Sequence, residues 1–120
     1  MFLSSILCLA EALYFEARSE PLDGKLLVAE VVINRVKHDD FPDTICEVVY
    51  QEGQFSWSDN KPVIKEEQEL LDAVTMAGEI YWGYTELPGS EALYFHSGPR
   101  QGFFNTRTKV GRYGAHTFYK

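Results

Sequence analysis

Positive charge is in short supply. Eleven lysines and arginines face eighteen aspartates and glutamates, giving a net charge of −7 and a pI near 4.9. A non-specific nucleic-acid binder needs a basic face and a peripheral anchor needs a polybasic segment, so neither nucleic acid nor a membrane surface is expected as a partner. Only a local cationic patch for an anionic polymer is left open. Long apolar runs are also lacking, since no stretch approaches the roughly 18 apolar residues of a membrane span. Cysteine occurs twice, at Cys8 and Cys46, and histidine three times. Neither cysteine has CxxC spacing and no HExxH is present, so no metal and no cofactor are expected. Both cysteines fall in apolar helical stretches. They are expected as buried free thiols behaving as small hydrophobes, in a chain not built for an oxidising compartment. Repeats, linkers and low-complexity tracts are missing too, so residues 1–120 are expected to form one domain with its own core.

Apolar residues make up 45% of the chain and aromatics 14%, set first at helical and then at strand spacing. Residues 2–17 are apolar nearly all round, with Leu3, Leu7 and Tyr14 on the far side, which predicts a central buried helix. Residues 1–10 resemble the apolar part of a signal peptide. They lack a basic start and run straight into the next motif, so they are read as core. Ser19-Glu20-Pro21 signals a helix start. The helix over 22–36 is expected to bury Leu22, Leu26, Ala29, Val32, Ile33 and Val36 and to expose Lys25, Glu30, Asn34 and Lys37. A short helix over 44–50 is expected behind an Asp43 cap, and a longer one over 63–82 with an acidic solvated face. Strands are expected at 92–96, 106–110 and 116–119. The fold class is α+β: a helical body followed by a small antiparallel sheet.

The chemistry is expected at Glu16. At about 100° per residue it shares a helix face with Leu13, Ala12, Leu9, Ile6 and Phe2, while the solvated Glu11 points almost the opposite way. Burial disfavours the charged carboxyl and raises its pKa. A glutamic acid still protonated near neutral pH can give a proton to a leaving oxygen. A plainer reading stands beside this one: Glu16 caps the next helix or pairs with Arg18. The aromatic loop QEGQFSWSDNKP also has two readings, a lid on the core or the wall of a sugar site. His38 is expected in solvent, without a role.

Five blocks in order, ALYFEARSEPLDGKLLVAEVVINRV, FPDTICEVVYQ, QFSW, ALYFH and GRYGAHTFY, resemble the cell-wall hydrolase family of spore-cortex lytic enzymes (the SleB and CwlJ type). They span almost the whole chain. Ser19 stands where the family usually has Gly. The resemblance implies a lysozyme-like α+β fold, peptidoglycan glycan strands as substrate and Glu16 as catalytic acid. Glu20 is the nearest partner carboxylate, catalytic or supporting. Gln54, Ser56, Trp57, Tyr94 and His96 are candidate substrate contacts; His96 and His116 also have a structural reading as hydrogen-bonded strand residues. A glycosidase with two working carboxylates needs them across the scissile bond, whereas Glu16 and Glu20 would lie side by side on a continued helix. The expected reaction is therefore lytic transglycosylation of the N-acetylmuramic acid–N-acetylglucosamine bond, giving 1,6-anhydro products. Competing expectations are a hydrolytic muramidase, a zinc amidase using His96, His116 and a carboxylate, and a non-catalytic wall-binding module. Without an export signal or wall-binding domain, the chain is expected to act at the bacterial cell wall as a bacteriophage lysin. It would be a monomer or a component of a phage particle, held in the host cytoplasm before release or carried on the virion.

Overall fold

The computed structural model describes residues 2–51, 55, 57, 62–98 and 102–120. Four helices come first: α1 (Phe2–Ala17), α2 (Leu22–Lys37), α3 (Ile45–Val49) and α4 (Glu67–Tyr81). Strand β1 (Tyr94–Ser97), a short 3₁₀ helix (Gly102–Thr106) and strands β2 (Lys109–Tyr113) and β3 (His116–Tyr119) follow. The α+β reading holds, and α1 is the element against which α2, α3 and α4 all pack. Its sequence explains this, because Ile6, Leu9, Ala10, Ala12, Leu13, Tyr14 and Ala17 are buried around more than one face. The alanines among them let neighbouring backbones come close. The first turns depart from expectation: Phe2, Leu3 and Leu7 are about half exposed. On that side the Phe2 ring lies 5.3 Å from the exposed Trp82 ring.

Glu30 was expected in water, yet it is buried, and so is Arg35, on which no expectation was placed. The Glu30 carboxylate accepts from the Gly89 and Ser90 amides, at 2.6 and 2.8 Å, and from the Ser90 hydroxyl. Arg35 Nε donates to the Leu93 carbonyl at 2.8 Å, and Asn34 Nδ2 to the Ala92 carbonyl at 2.9 Å. A buried polar group is tolerable when satisfied, and these three tie down the segment that feeds β1. Leu22, expected inside, is exposed. The cap of α3 is Thr44 rather than Asp43, its hydroxyl accepting from the Glu47 amide at 3.2 Å. Helix α4 starts at Glu67, four residues later than expected. The Lys65 and Glu66 amides donate instead to the Tyr14 hydroxyl, at 3.3 and 3.2 Å.

The cysteines are joined. Cys8 of α1 and Cys46 of α3 form a disulfide with Cα atoms 5.3 Å apart. The expectation of free thiols is overturned because α1–α3 packing brings two residues distant in sequence to bonding range. The inference that the chain is not built for an oxidising compartment falls with it.

The sheet is antiparallel in the order β1-β3-β2. Its register pairs Phe95 with Phe118 and Ser97 with His116. Period-two alternation puts those four on the face toward the helices and Tyr94, His96, Thr117 and Tyr119 on the other. The first two strands begin later than expected. Ala92 and Leu93 offer their carbonyls to α2, and Thr106 closes the 3₁₀ helix.

Candidate active site

Glu16 sits in the last turn of α1, half-buried. The chain then turns, with the Glu20 amide donating to the Ala17 carbonyl at 3.0 Å, and α2 leaves in a new direction. Trp57 Nε1 donates to Glu16 Oε1 at 3.0 Å. Burial raises the pKa of this carboxyl, and the indole N–H opposes the rise because it favours the charged form; burial prevails. Trp57 is itself buried, with ring centroids 4.8 Å from Phe15, 5.7 Å from a stacked Phe55 and 6.1 Å from Tyr50. The Tyr50 hydroxyl donates to Glu11, so Glu11 is half-buried and paired rather than solvated as expected. An aromatic packet thus holds the donor that holds the acid.

Two clefts meet at Glu16. One, of about 400 Å³, runs toward the start of α4 between Tyr14, Trp57, Val63, Lys65 and Glu66. The other, of about 410 Å³, runs toward the β2–β3 turn between Ser19, Glu20, Ser97, Ala115 and His116. Phe15, Glu16 and Arg18 line both. Arg18 does not pair with Glu16. It lies over the Tyr14 ring, 5.0 Å from the centroid, and its Nε is 3.5 Å from Glu66 Oε1. The helix-cap and Arg18-pair readings of Glu16 are therefore not what the structure shows. The half-buried carboxyl instead lines both clefts.

Glu20 lies in the second cleft with its carboxylate engaged. Its Oε1 accepts from the Ala115 amide at 2.9 Å and is 3.1 Å from His116 Nδ1, a pair not aligned as a hydrogen bond. His116 is buried, which lowers its pKa; Glu20 pulls the other way and His96 adds to the lowering. The turn fits onto Glu20 only as glycine. Gly114 has φ +62°, and a Cβ there would sit 2.5 Å from Glu20 Oε2.

Of the residues singled out in the sequence, the structure gathers Glu16, Glu20 and Trp57. Tyr94 and His96 go elsewhere, on the sheet face turned away from Glu20, and line neither cleft at Glu16. Tyr94 lies under the Arg35 and Arg107 guanidinium groups, at 5.6 and 4.4 Å. His96 Nε2 is 2.9 Å from the Tyr119 hydroxyl, and its ring is 4.6 Å from that of Phe104. His96 and His116 project from opposite faces, so they do not form a shared ligand set. Among the described residues no group of three or more His, Cys, Asp or Glu side chains is placed to hold a metal ion. Gln54 and Ser56 lie outside the described residues. Sequence reasoning missed Tyr14, Lys65, Glu66 and Ser97 as cleft residues. One signal existed, since a tyrosine inside a buried helix needs a partner for its hydroxyl.

Residues 19–119 match the family model described as Cell Wall Hydrolase. The spore cortex-lytic enzyme of Oceanobacillus iheyensis is 31% identical over 126 residues, which cover 98% of this chain and 42% of that protein. That of Bacillus subtilis is 26% identical over 117 residues, covering 96% and 37%. The chain thus spans about two-fifths of the length of these relatives. Among solved structures, the catalytic domain of the Bacillus cereus SleB protein superposes with a TM-score of 0.77 at 29% identity, covering 98% of this chain and 91% of that one. The catalytic domain of the germination-specific lytic transglycosylase SleB from Bacillus anthracis gives 0.75 at 28%, covering 97% and 93%. The family match starts just after Glu16, whereas the structural matches take in nearly the whole chain.

Proposed function

The chain belongs to the cell wall hydrolase family, and on that premise we propose that it is a peptidoglycan lytic transglycosylase, with Glu16 as its catalytic residue. The substrate is the glycan strand, and the bond cut is the β-1,4 link from N-acetylmuramic acid to N-acetylglucosamine. Glu16 gives its proton to the bridging oxygen as the bond to C1 breaks, and the N-acetylglucosamine end leaves as an alcohol. The Glu16 carboxylate then takes the proton of the muramic acid C6 hydroxyl, whose oxygen bonds to C1 and closes a 1,6-anhydro ring. The acid ends the cycle protonated, and no water is consumed.

One observation carries this reading. Where the two clefts meet, Glu16 is the carboxyl that lines both and is held at one oxygen by the Trp57 indole, while Glu20 accepts from the Ala115 amide beside His116 and Glu66 lies beside Arg18. A hydrolytic route needs a second carboxylate to act as nucleophile or as base for water. The transglycosylase route takes its nucleophile from the sugar. In this reading Glu20 is a positioning residue that seats the β2–β3 turn at the edge of the groove, and Trp57 positions and tunes Glu16. The solved Bacillus anthracis relative is named a lytic transglycosylase, which agrees. The expected phage-lysin role draws no support from the relatives, which are spore cortex-lytic enzymes. The Cys8–Cys46 disulfide favours work outside a reducing cytoplasm.

Mass spectrometry of digested, purified peptidoglycan tests the reaction. Anhydro-muramic ends are expected, and reducing muramic ends would overturn the route. Glu16→Gln should lower turnover by at least about 10²-fold, as loss of a general acid does, while strand binding persists.

A further inference from the structure

The two clefts at Glu16 differ in charge. Toward α4 the lining carries two cations, Arg18 and Lys65, beside the carboxyls of Glu66 and of Glu16, whose neutral form burial favours. Toward the β2–β3 turn Arg18 is the one cation of the lining shared with the first cleft, and the rest is Ser19, Ser97 and Ala115, with Glu20 set against a buried His116 and no lysine. On a chain with a net charge of −7, a cleft lined by two cations runs against the average of the surface.

The cations are not loosely placed. The Tyr14 hydroxyl accepts from the Lys65 and Glu66 amides, and the Tyr14 ring lies beneath the Arg18 guanidinium. One side chain, 1% exposed, thus fixes where both cations leave the backbone. Arg18 and Glu66 are 3.5 Å apart with side chains 40% and 49% exposed. Pairs of that kind contribute little, so an incoming carboxylate can take the place of Glu66 at small cost. Lys65 makes no ion pair among the described residues.

The two sugars of the strand differ in the same sense. N-acetylglucosamine offers hydroxyls and an acetamide. Muramic acid also carries a lactyl ether, to which an acidic stem peptide with free carboxylates is joined. We propose that Lys65 and Arg18 form a carboxylate-binding arm that seats the muramic acid side of the scissile bond, with its stem peptide, in the cleft beside Tyr14. The N-acetylglucosamine side then falls in the cleft without a lysine, beside Ser97 and His116. The arm fixes the direction in which the strand crosses Glu16 and makes peptide-bearing strands the preferred substrate. It rests on the glycan-strand reading given above.

The test compares two substrates, peptidoglycan with its stem peptides and the same material stripped of them by an amidase, and reads the ratio of the two KM values. Lys65→Gln should move that ratio about threefold toward the stripped strands, and Glu66→Gln by a similar factor the other way, in low salt. Both shifts should fade near 0.5 M salt, as exposed charge interactions do. A structural role for either residue would move both KM values together and leave the ratio alone. A ratio unmoved by both variants, or moved in the same direction by both, overturns the arm while leaving the transglycosylase reading intact. Failure of the unaltered chain to cut either substrate overturns that reading, and the arm with it.

Discussion

Breaking the Cys8–Cys46 bond should cost this protein a large part of its stability. The bond closes a loop across a sequence separation of 38. In the chain-entropy account, a loop of that size removes about 4 kcal/mol of conformational freedom from the unfolded state at 25 °C. A domain of this length holds roughly 5–15 kcal/mol in total. The loss should therefore lower the thermal midpoint by about 10–20 °C and move the urea midpoint well down. The linked α1 and α3 also pack directly, with Leu9, Ala12, Val48 and Val49 fully buried, so the native fold should persist without the bond. The perturbation is the Cys8→Ala/Cys46→Ala double variant, run beside the parent with and without reductant. Urea unfolding followed by circular dichroism gives the midpoint and the slope. The slope should rise in the variant, because a chain freed of its cross-link exposes more surface when unfolded. Two results would refute the reasoning. Thiol labelling of the denatured, unreduced parent that modifies both cysteines would show that the bond does not form. A midpoint change worth less than about 1 kcal/mol would show that α1–α3 packing alone supplies what is assigned here to the cross-link.

Other expectations concern the acid and its supports. In the proposed reaction Glu16 starts protonated, and burial raises its pKa, so activity should be full below that pKa and fall as pH rises through it. Trp57→Phe removes a hydrogen-bond donor that favours the carboxylate, so the alkaline limb of the pH–rate profile should move to still higher pH; a shift the other way would contradict the geometry. Gly114→Ala forces a side chain into a positive-φ position against Glu20 and should cost about 1–3 kcal/mol in urea unfolding. Tyr14→Phe leaves the Lys65 and Glu66 amides without their acceptor and should cost about 1–2 kcal/mol, with faster amide hydrogen exchange at those two residues.

What the sequence made legible follows the reach of each physical signal. Helical periodicity is local, so α1 could be drawn to its end at Ala17 and Glu16 placed on its apolar face. The terminal strands and the α+β class were readable for the same reason. Periodicity carries no information about what a polar side chain finds across the fold. Glu30 and Asn34 read as solvent-facing, yet they hold the backbone at residues 89–92 from a distance of about sixty positions. The disulfide failed in the same way, because the separation of Cys8 and Cys46 is set by helix packing and not by either helix. Tyr94 and His96 lie away from both clefts for a reason of parity, and His96 takes the hydrogen-bonded place that its structural reading allowed. In β1 a shift of one residue changes face, and the face that looks toward Glu20 belongs to Phe95 and Ser97. Trp57 could be recognised as a site residue from its aromatic loop but not given its task. Only the fold shows its ring buried among Phe15, Tyr50 and Phe55 and its N–H turned to Glu16. An apolar helix could have ended at Glu16 in any number of folds. What makes the carboxyl a candidate acid is the neighbours that arrive from residues 50–66 and 97–116, and none of these is local to it.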